Sequence, residues 1–148
     1  MSPKRDKGRP HDGVYTRLRV SRVGGAGIGV FAVIDIPQGT DVFGADDAET
    51  VFINKEETVA LTPEIRKLYH DFCVLKSNRY ECPSNFNSLT VSWYLNTSES
   101  PNVEPDSNLR FKAIRDIKAG EELFANYAEY SENEDAEFKS SVGQEPQS

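Results

Sequence analysis

An internal repeat limits the fold of this chain more than any other feature. Residues 32–43, AVIDIPQGTDVF, align with residues 113–124, AIRDIKAGEELF, and the two segments share Ala, Asp, Ile, Gly and Phe at equal spacing. Each copy is typical of a strand, a turn closed by Gly39 or Gly120, and a return strand. Two similar hairpins predict a mainly β fold assembled from related halves, with chance similarity over a short span as the alternative.

The segment between the two copies contains the strongest helix pattern. Thr62 suits the N-cap of a helix and Pro63 suits the first helical position. Apolar side chains then recur with helical spacing at Ile65, Leu68, Tyr69 and Phe72. These features predict one short helix over residues 63–74.

The length and composition predict a single domain. The chain has 148 residues, of which 37% are hydrophobic, enough for one core. We expect a disordered tail over 1–13, a folded domain over 14–130 and an acidic, disordered tail over 131–148. The sequence has no run of the about 20 apolar residues that a membrane span needs, and its polar, charged N-terminus is unlike a signal peptide. We therefore expect no membrane contact and a cytoplasmic location, or a nuclear one in a eukaryote.

The charge and the few metal-binding side chains limit the ligands. A formal net charge of −7 disfavours direct contact with nucleic acid, since phosphates need a positive face, and suits a basic partner. Cys73 and Cys82, with only His11 and His70, make a poor ligand set for zinc. We predict no metal and treat both cysteines as small apolar residues. The oligomeric state is left open.

Residues 93–102, WYLNTSESPN, change from apolar to small polar residues. Pro101 keeps Ser100 extended and removes a backbone donor, so we expect a strand that leaves a sheet and becomes a loop. Asn96 and Thr97 give this loop amide and hydroxyl groups that can recognise a polar ligand. The alternatives are an ordinary surface turn and, in a secreted protein, a glycosylation acceptor at Asn96.

A glycine-rich loop, residues 24–29, GGAGIG, precedes the apolar residues 30–33. Glycines allow the backbone to approach a ligand closely, so the loop could bind a cofactor through main-chain groups. A dinucleotide-binding loop would be followed by a helix, whereas β-branched residues and Pro37 follow here. A flexible hairpin loop is the alternative.

Three blocks of this chain resemble those of the SET-domain protein-lysine methyltransferases, in the order typical of that family. Residues 27–32, GIGVFA, resemble its glycine loop, and residues 93–102 resemble its RFINHSCxPN block. Residues 120–127, GEELFANY, are similar to its GEELTFDY block. The resemblance covers residues 15–130 and is to compact, stand-alone members without zinc-binding segments before or after the domain.

The resemblance implies a fold of several short sheets with a C-terminal pseudoknot around Asn96. It also implies S-adenosylmethionine as methyl donor and the ε-amine of a lysine in a protein substrate as acceptor. By position, Tyr127 matches the catalytic tyrosine, whose phenol orients the amine. The expected cofactor-binding residues are Gly27, Ile28, Gly29, Trp93, Asn96 and Thr97. The expected substrate channel is formed by Phe124, Ala125 and Tyr130.

Several residues depart from the family pattern. Trp93 replaces an arginine that often reaches the cofactor, Thr97 replaces histidine, and Glu99 stands where cysteine is frequent. Ala125 occupies a place usually held by Phe or Tyr, which leaves the number of methyl groups transferred open. No cysteine cluster follows Tyr127, so Tyr130, the tail around Phe138 or a partner must complete the channel.

Three functions compete at this point. The first is a compact protein-lysine methyltransferase acting on a basic protein segment, and Asn96 and Tyr127 favour it. The second is a SET-like binding module without turnover, which Thr97 and Ala125 make credible. The third is a small β domain without a ligand, in which Tyr127 is an ordinary core residue.

Glu121 and Glu122 are adjacent carboxylates that could suggest a catalytic pair. They face opposite ways on a strand, so we interpret them as hairpin and surface charges.

Overall fold

A computed structural model describes residues 8–46 and 49–132 of the chain. Most of both predicted tails, residues 1–7 and 133–148, therefore lies outside the described residues. The described part is built mainly from short strands. The helices and strands are β1 (Thr16–Val20), β2 (Ile28–Ala32), β3 (Thr50–Asn54), a 3-10 helix (Lys55–Thr58), α1 (Pro63–Phe72), β4 (Val74–Lys76), β5 (Arg79–Pro83), a 3-10 helix (Val91–Tyr94), β6 (Asn96–Thr97), β7 (Val103–Pro105), β8 (Phe111–Ala113), β9 (Glu122–Ala125) and a 3-10 helix (Tyr127–Glu129).

The strands form three small sheets. The largest has the order β1-β2-β9-β6, with β6 parallel to β9 and the other neighbours antiparallel. The second sheet is β3-β5-β4, and the third is the β7-β8 hairpin. This arrangement confirms the predicted fold class of several short sheets with one α-helix. No helix in the described part of the chain is long and apolar enough to cross a membrane.

The two copies of the repeat pair with each other through equivalent hydrogen bonds. Ile36 and Ile117 exchange backbone hydrogen bonds of 2.7 and 2.8 Å. Asp35 accepts from the Ala119 N–H at 2.9 Å, and the equivalent Asp116 accepts from the Gln38 N–H at 2.8 Å. Gly39 and Gly120 have φ of 90° and 91°, in the left-handed region that favours glycine. The repeat thus forms the centre of the fold.

Three local predictions need correction. The return strand of the first copy is reduced to one bridge, Asp41 to Lys112, because the chain turns immediately afterwards. Trp93 lies in a 3-10 helix instead of a strand, and only Asn96 and Thr97 of its block form a strand, β6. Helix α1 ends at Phe72, two residues early, because Cys73 adopts the extended conformation that leads into β4.

Two clusters of buried apolar residues stabilise the fold. The larger joins both copies of the repeat to the residue before β6, and its members are Val30, Ala32, Ile36, Val42, Leu95, Val103, Ala113, Ile117, Leu123 and Ala125. The smaller lies between α1 and the second sheet and consists of Cys73, Leu75, Tyr80 and Cys82. Both cysteines are buried and unoxidised in this cluster, as expected of small apolar residues.

Candidate functional site

The last two resembling blocks are hydrogen-bonded to each other. Strand β6 runs parallel to β9, with Asn96 opposite Phe124. The buried side chain of Asn102 donates to the Glu122 carbonyl at 2.9 Å and accepts from the Phe124 N–H at 2.8 Å. These bonds hold both the start and the end of the polar loop against β9, in keeping with the predicted pseudoknot.

A buried carboxylate connects these two blocks to the glycine loop. The Glu122 side chain accepts from the Ser21 hydroxyl at 2.7 Å and from the Arg22 N–H at 2.9 Å. The Asn96 amide, itself only 4% exposed, donates to the Ile28 carbonyl at 3.0 Å and lies 3.4 Å from Glu122 Oε2. Three segments distant in sequence therefore meet at one side chain.

The prediction that Glu122 is a surface charge was therefore wrong. Its side chain is buried because the glycine loop covers β9. The opposite orientation of the two glutamates was correct: the Glu121 carboxylate faces outward and pairs with Arg115 at 3.2 Å. This alternation of the two side chains was the feature of the sequence from which the burial of Glu122 could have been predicted. On a strand whose neighbouring residues join the core, one of two adjacent carboxylates has to point inward.

The glycine loop has space for a ligand in front of its backbone. Gly27 has φ of 76°, and a Cβ placed there would meet no atom within 4 Å. Gly29 faces the other way, against Glu122 and Asn96, where a Cβ would overlap the carboxylate. The loop thus has one closed side fixed by Glu122 and one open side. An open, backbone-lined side suits a polar cofactor bound through main-chain groups.

Tyr127 is tied to the Asn96 segment at two points. Its N–H donates to the Thr97 hydroxyl at 2.9 Å, and its phenol donates to the Leu95 carbonyl. Burial, with smaller effects from Tyr130 and Asp71, raises the pKa of Tyr127 well above its usual range. The phenol therefore stays protonated at neutral pH and remains a hydrogen-bond donor.

We predict that Thr97→Val lowers the free energy of unfolding by about 1–3 kcal/mol, because it leaves the Tyr127 N–H without its acceptor. Thr97→Ser keeps the hydroxyl and should lose much less. Urea denaturation of both variants measures the difference. Equal losses for Val and Ser would show that the hydroxyl does not hold the Tyr127 backbone.

A cavity of about 150 Å³ opens beside Tyr127. Its aromatic wall includes Trp93, Phe111 and Tyr130, and the ring of Tyr130 lies 6.2 Å from that of Tyr127. Asp71 and Glu81 supply two carboxylates to the same lining. The Asp71 carboxylate also pairs with the Lys67 ammonium at 3.1 Å. This combination of aromatic rings and acidic groups suits an amine.

The structure separates the other predicted site residues. Trp93 lies in the cavity wall with Tyr127, so its assignment to the cofactor stays a prediction. Of the predicted channel residues, Tyr130 lines the cavity, whereas Ala125 is fully buried in the larger core cluster. Phe124 is half-buried on β9, opposite Asn96. Their roles in a channel also remain predictions.

Comparison with known proteins identifies the family. The sequence profile of the SET domain matches residues 27–128, more than half of the chain. The chain therefore belongs to the SET-domain family, whose fold it shares with protein-lysine methyltransferases. A search of curated proteins found no significant match.

Several solved structures are similar. A chain of Polycomb Repressive Complex 2 from Chaetomium thermophilum, bound to S-adenosylmethionine, is 27% identical with a TM-score of 0.55. The match covers 81% of this chain and 16% of that chain, so this protein spans only about a sixth of that relative. A humanized mutant of the same complex, bound to the inhibitor GSK126, is 28% identical over 81% and 16% of the two chains, with a TM-score of 0.55.

A smaller neighbour comes from Plasmodium falciparum. This candidate histone methyltransferase is 20% identical, and the match covers 77% of this chain and 93% of that chain with a TM-score of 0.51. At that identity the likeness shows the fold alone.

Proposed function

We propose that this protein transfers a methyl group from S-adenosylmethionine to the ε-amine of a lysine in a protein substrate. The observation that carries the proposal is the convergence of the glycine loop, the Asn96 segment and Tyr127 in one hydrogen-bonded network. A ligand-free β domain has no need for this arrangement. The arrangement has a direct use if a methyl donor and a methyl acceptor must be brought together.

The cofactor fits the open side of the glycine loop. We assign its binding to the backbone of residues 27–29 and to the neighbouring Asn96–Thr97 strand. When bound, S-adenosylmethionine supplies an electrophilic methyl group. The amide of Asn96 is committed to the Ile28 carbonyl, so its role is to hold the loop while backbone groups contact the ligand.

The cavity beside Tyr127 is assigned to the acceptor lysine. A lysine amine has a pKa of about 10.4 in water, and only its neutral form has the lone pair that accepts a methyl group. The aromatic wall desolvates the amine and favours the neutral form. Asp71 and Glu81 attract the incoming ammonium and favour its charged form, so the release of the proton depends on desolvation by the aromatic wall.

Tyr127 orients the amine in this proposal. Its phenol donates to the Leu95 carbonyl, so the phenol oxygen would meet the substrate amine as an acceptor of its N–H. A fixed acceptor restricts the rotation of the amine and aims its own lone pair. We assign no proton abstraction to Tyr127, whose raised pKa keeps the phenol protonated.

A basic protein segment is the proposed substrate. The chain carries a formal net charge of −7, and the acceptor cavity itself contains two carboxylates. Opposite charge on the substrate would speed association, an effect that salt should reduce.

We expect purified protein to bind S-adenosylmethionine at a single site with measurable heat. Isothermal titration calorimetry tests this directly, and methyl transfer to a mixture of core histones, used as basic test proteins, follows as the second readout. No heat at millimolar cofactor would refute the enzyme. Heat without transfer to these or other basic proteins would instead support the cofactor-binding module without turnover.

A further inference from the structure

One face of the β3-β5-β4 sheet turns away from the smaller core cluster. In an antiparallel sheet, residues directly opposite each other project from the same face. Phe52, Glu81 and Val74 form one such row, and Asn54, Arg79 and Lys76 form the next. Phe52 is 52% exposed, whereas Tyr80 and Cys82 of the opposite face are buried. This open face lies across from the tip of the β7-β8 hairpin.

Two cavities lie along this face and share a wall. The acceptor cavity and a second cavity of about 290 Å³ are both lined by Val74, Glu81 and Leu109. Beyond that wall the second cavity is lined by Lys76 and Arg79 from the sheet and by residues 107–108 of the hairpin. A segment with its lysine beside Tyr127 would therefore place a neighbouring side chain in the second cavity.

Leu109 in the shared wall has an unusual backbone conformation. Its φ is 58°, in the left-handed region that glycine and asparagine occupy readily and that strains a bulky residue. The turn itself is closed by Asp106, whose carboxylate accepts from the N–H groups of Asn108 and Arg110. The turn does not require a leucine. Backbone strain of this kind clusters at active sites and at segments that hold ligands.

Charge changes sign along the two cavities. Asp71 lines the acceptor cavity, and Glu81 lies on the shared wall, where burial raises the pKa of its carboxyl against the lowering effect of Arg79 and Lys76. Lys76 and Arg79 line the second cavity, where the Arg79 guanidinium stacks 4.1 Å from the centre of the Phe52 ring. Stacking leaves the edge of the guanidinium free to bind a carboxylate.

We propose that the second cavity is a substrate subsite that takes a carboxylate side chain located within three residues of the acceptor lysine, with Leu109 as the wall between the two side chains. Lys76 and Arg79 supply the positive charge, and Leu109 contacts the aliphatic parts of the substrate on both sides. The inference rests on the proposed function and adds a local rule to it: a basic protein substrate is methylated at a lysine that has an acidic neighbour.

The test uses synthetic peptides with one lysine in a Gly/Ser background. Glu, Gln or Lys is placed at each position from three residues before the lysine to three residues after it, and kcat/KM for methyl transfer is measured. At one position or more, we expect Glu to exceed Gln by about fivefold, as for a partly exposed ion pair, and Lys to be the poorest.

Matched variants assign the preference to the cavity. Arg79→Gln and Lys76→Gln should reduce the Glu-to-Gln ratio toward one, whereas Lys118→Gln, which removes the same charge from a distant hairpin, should keep it. Leu109→Asn relieves the backbone strain, so its melting temperature should not fall, while KM for the Glu peptide should rise several-fold. A packing residue would show the reverse: a lower melting temperature and an unchanged KM.

The outcomes separate the subsite from the proposed function. Transfer to these peptides without a Glu preference, or a preference that survives both charge variants, would overturn the subsite and leave the methyltransferase standing. Absence of both transfer and peptide binding, measured by fluorescence anisotropy with S-adenosylmethionine present, would overturn the subsite as well. Absence of cofactor binding by the wild type is the result that removes the proposed function itself.

Discussion

Tyr127→Phe is expected to reduce methyl transfer by at least about 10²-fold while the dissociation constant for S-adenosylmethionine changes by less than about threefold. The substitution removes only the phenol oxygen, which we assign to orienting the acceptor amine. It leaves the ring in the cavity wall and the Tyr127 N–H on Thr97. Radiolabelled transfer and calorimetric titration measure the two quantities separately.

The stability of this variant has to be measured as well. Losing the bond to the Leu95 carbonyl should cost about 1 kcal/mol, too little to unfold a domain of ordinary stability. Tyr15→Phe is the matched control, because Tyr15 packs against the larger core cluster and does not line the acceptor cavity, so this variant should transfer normally. Normal transfer by Tyr127→Phe would refute the role assigned to the phenol.

The repeat was the most informative feature for the fold because its two copies interact with each other. Equivalent residues make equivalent bonds: Gly39 N–H donates to the Ala113 carbonyl and Gly120 N–H to the Ala32 carbonyl, both at 2.8 Å. Such symmetry requires matching turn residues and matching apolar positions, and these are visible in the sequence. The helix was predictable for a similar reason, since its cap and its apolar stripe are local.

Features that depend on distant partners were not predictable in the same way. The first copy of the repeat has nearly the same pattern as the second, yet only the second forms a full return strand, β9. The difference is that β9 lies between β2 and β6, whereas the equivalent residues of the first copy pair with β8 only through the bridge from Asp41 to Lys112. Strand formation therefore depended on neighbours that the local pattern does not specify.

The candidate site shows the same division. Resemblance located Tyr127 and the Asn96 segment, and the structure brings them together. The resemblance gave no sign that Glu122 holds the glycine loop, because the partners of its carboxylate lie on two other segments of the chain. Leu109 was missed because nothing in its sequence neighbourhood indicates that a leucine occupies a left-handed position. Both residues act through tertiary contacts, which spacing along the chain does not specify.

Gly29→Ala is expected to lower the free energy of unfolding by about 2–4 kcal/mol and to weaken S-adenosylmethionine binding by at least about tenfold. The new methyl group would overlap Glu122 Oε2 and lie 3.2 Å from Asn96 Nδ2. Glu122 cannot withdraw without breaking its bonds to Ser21 and Arg22, so the glycine loop itself must shift. Urea denaturation and calorimetric titration measure the two effects.

Two further variants show whether this loss comes from the overlap. Gly24→Ala is the matched control, because a Cβ there meets no atom within 4 Å, and its stability should stay within about 0.5 kcal/mol of the wild type. The double variant Gly29→Ala, Glu122→Ala should lose less stability than the two single variants together, since the carboxylate that the methyl group strikes is gone. Strictly additive losses would mean that the Gly29→Ala methyl group and the Glu122 carboxylate do not compete for the same space.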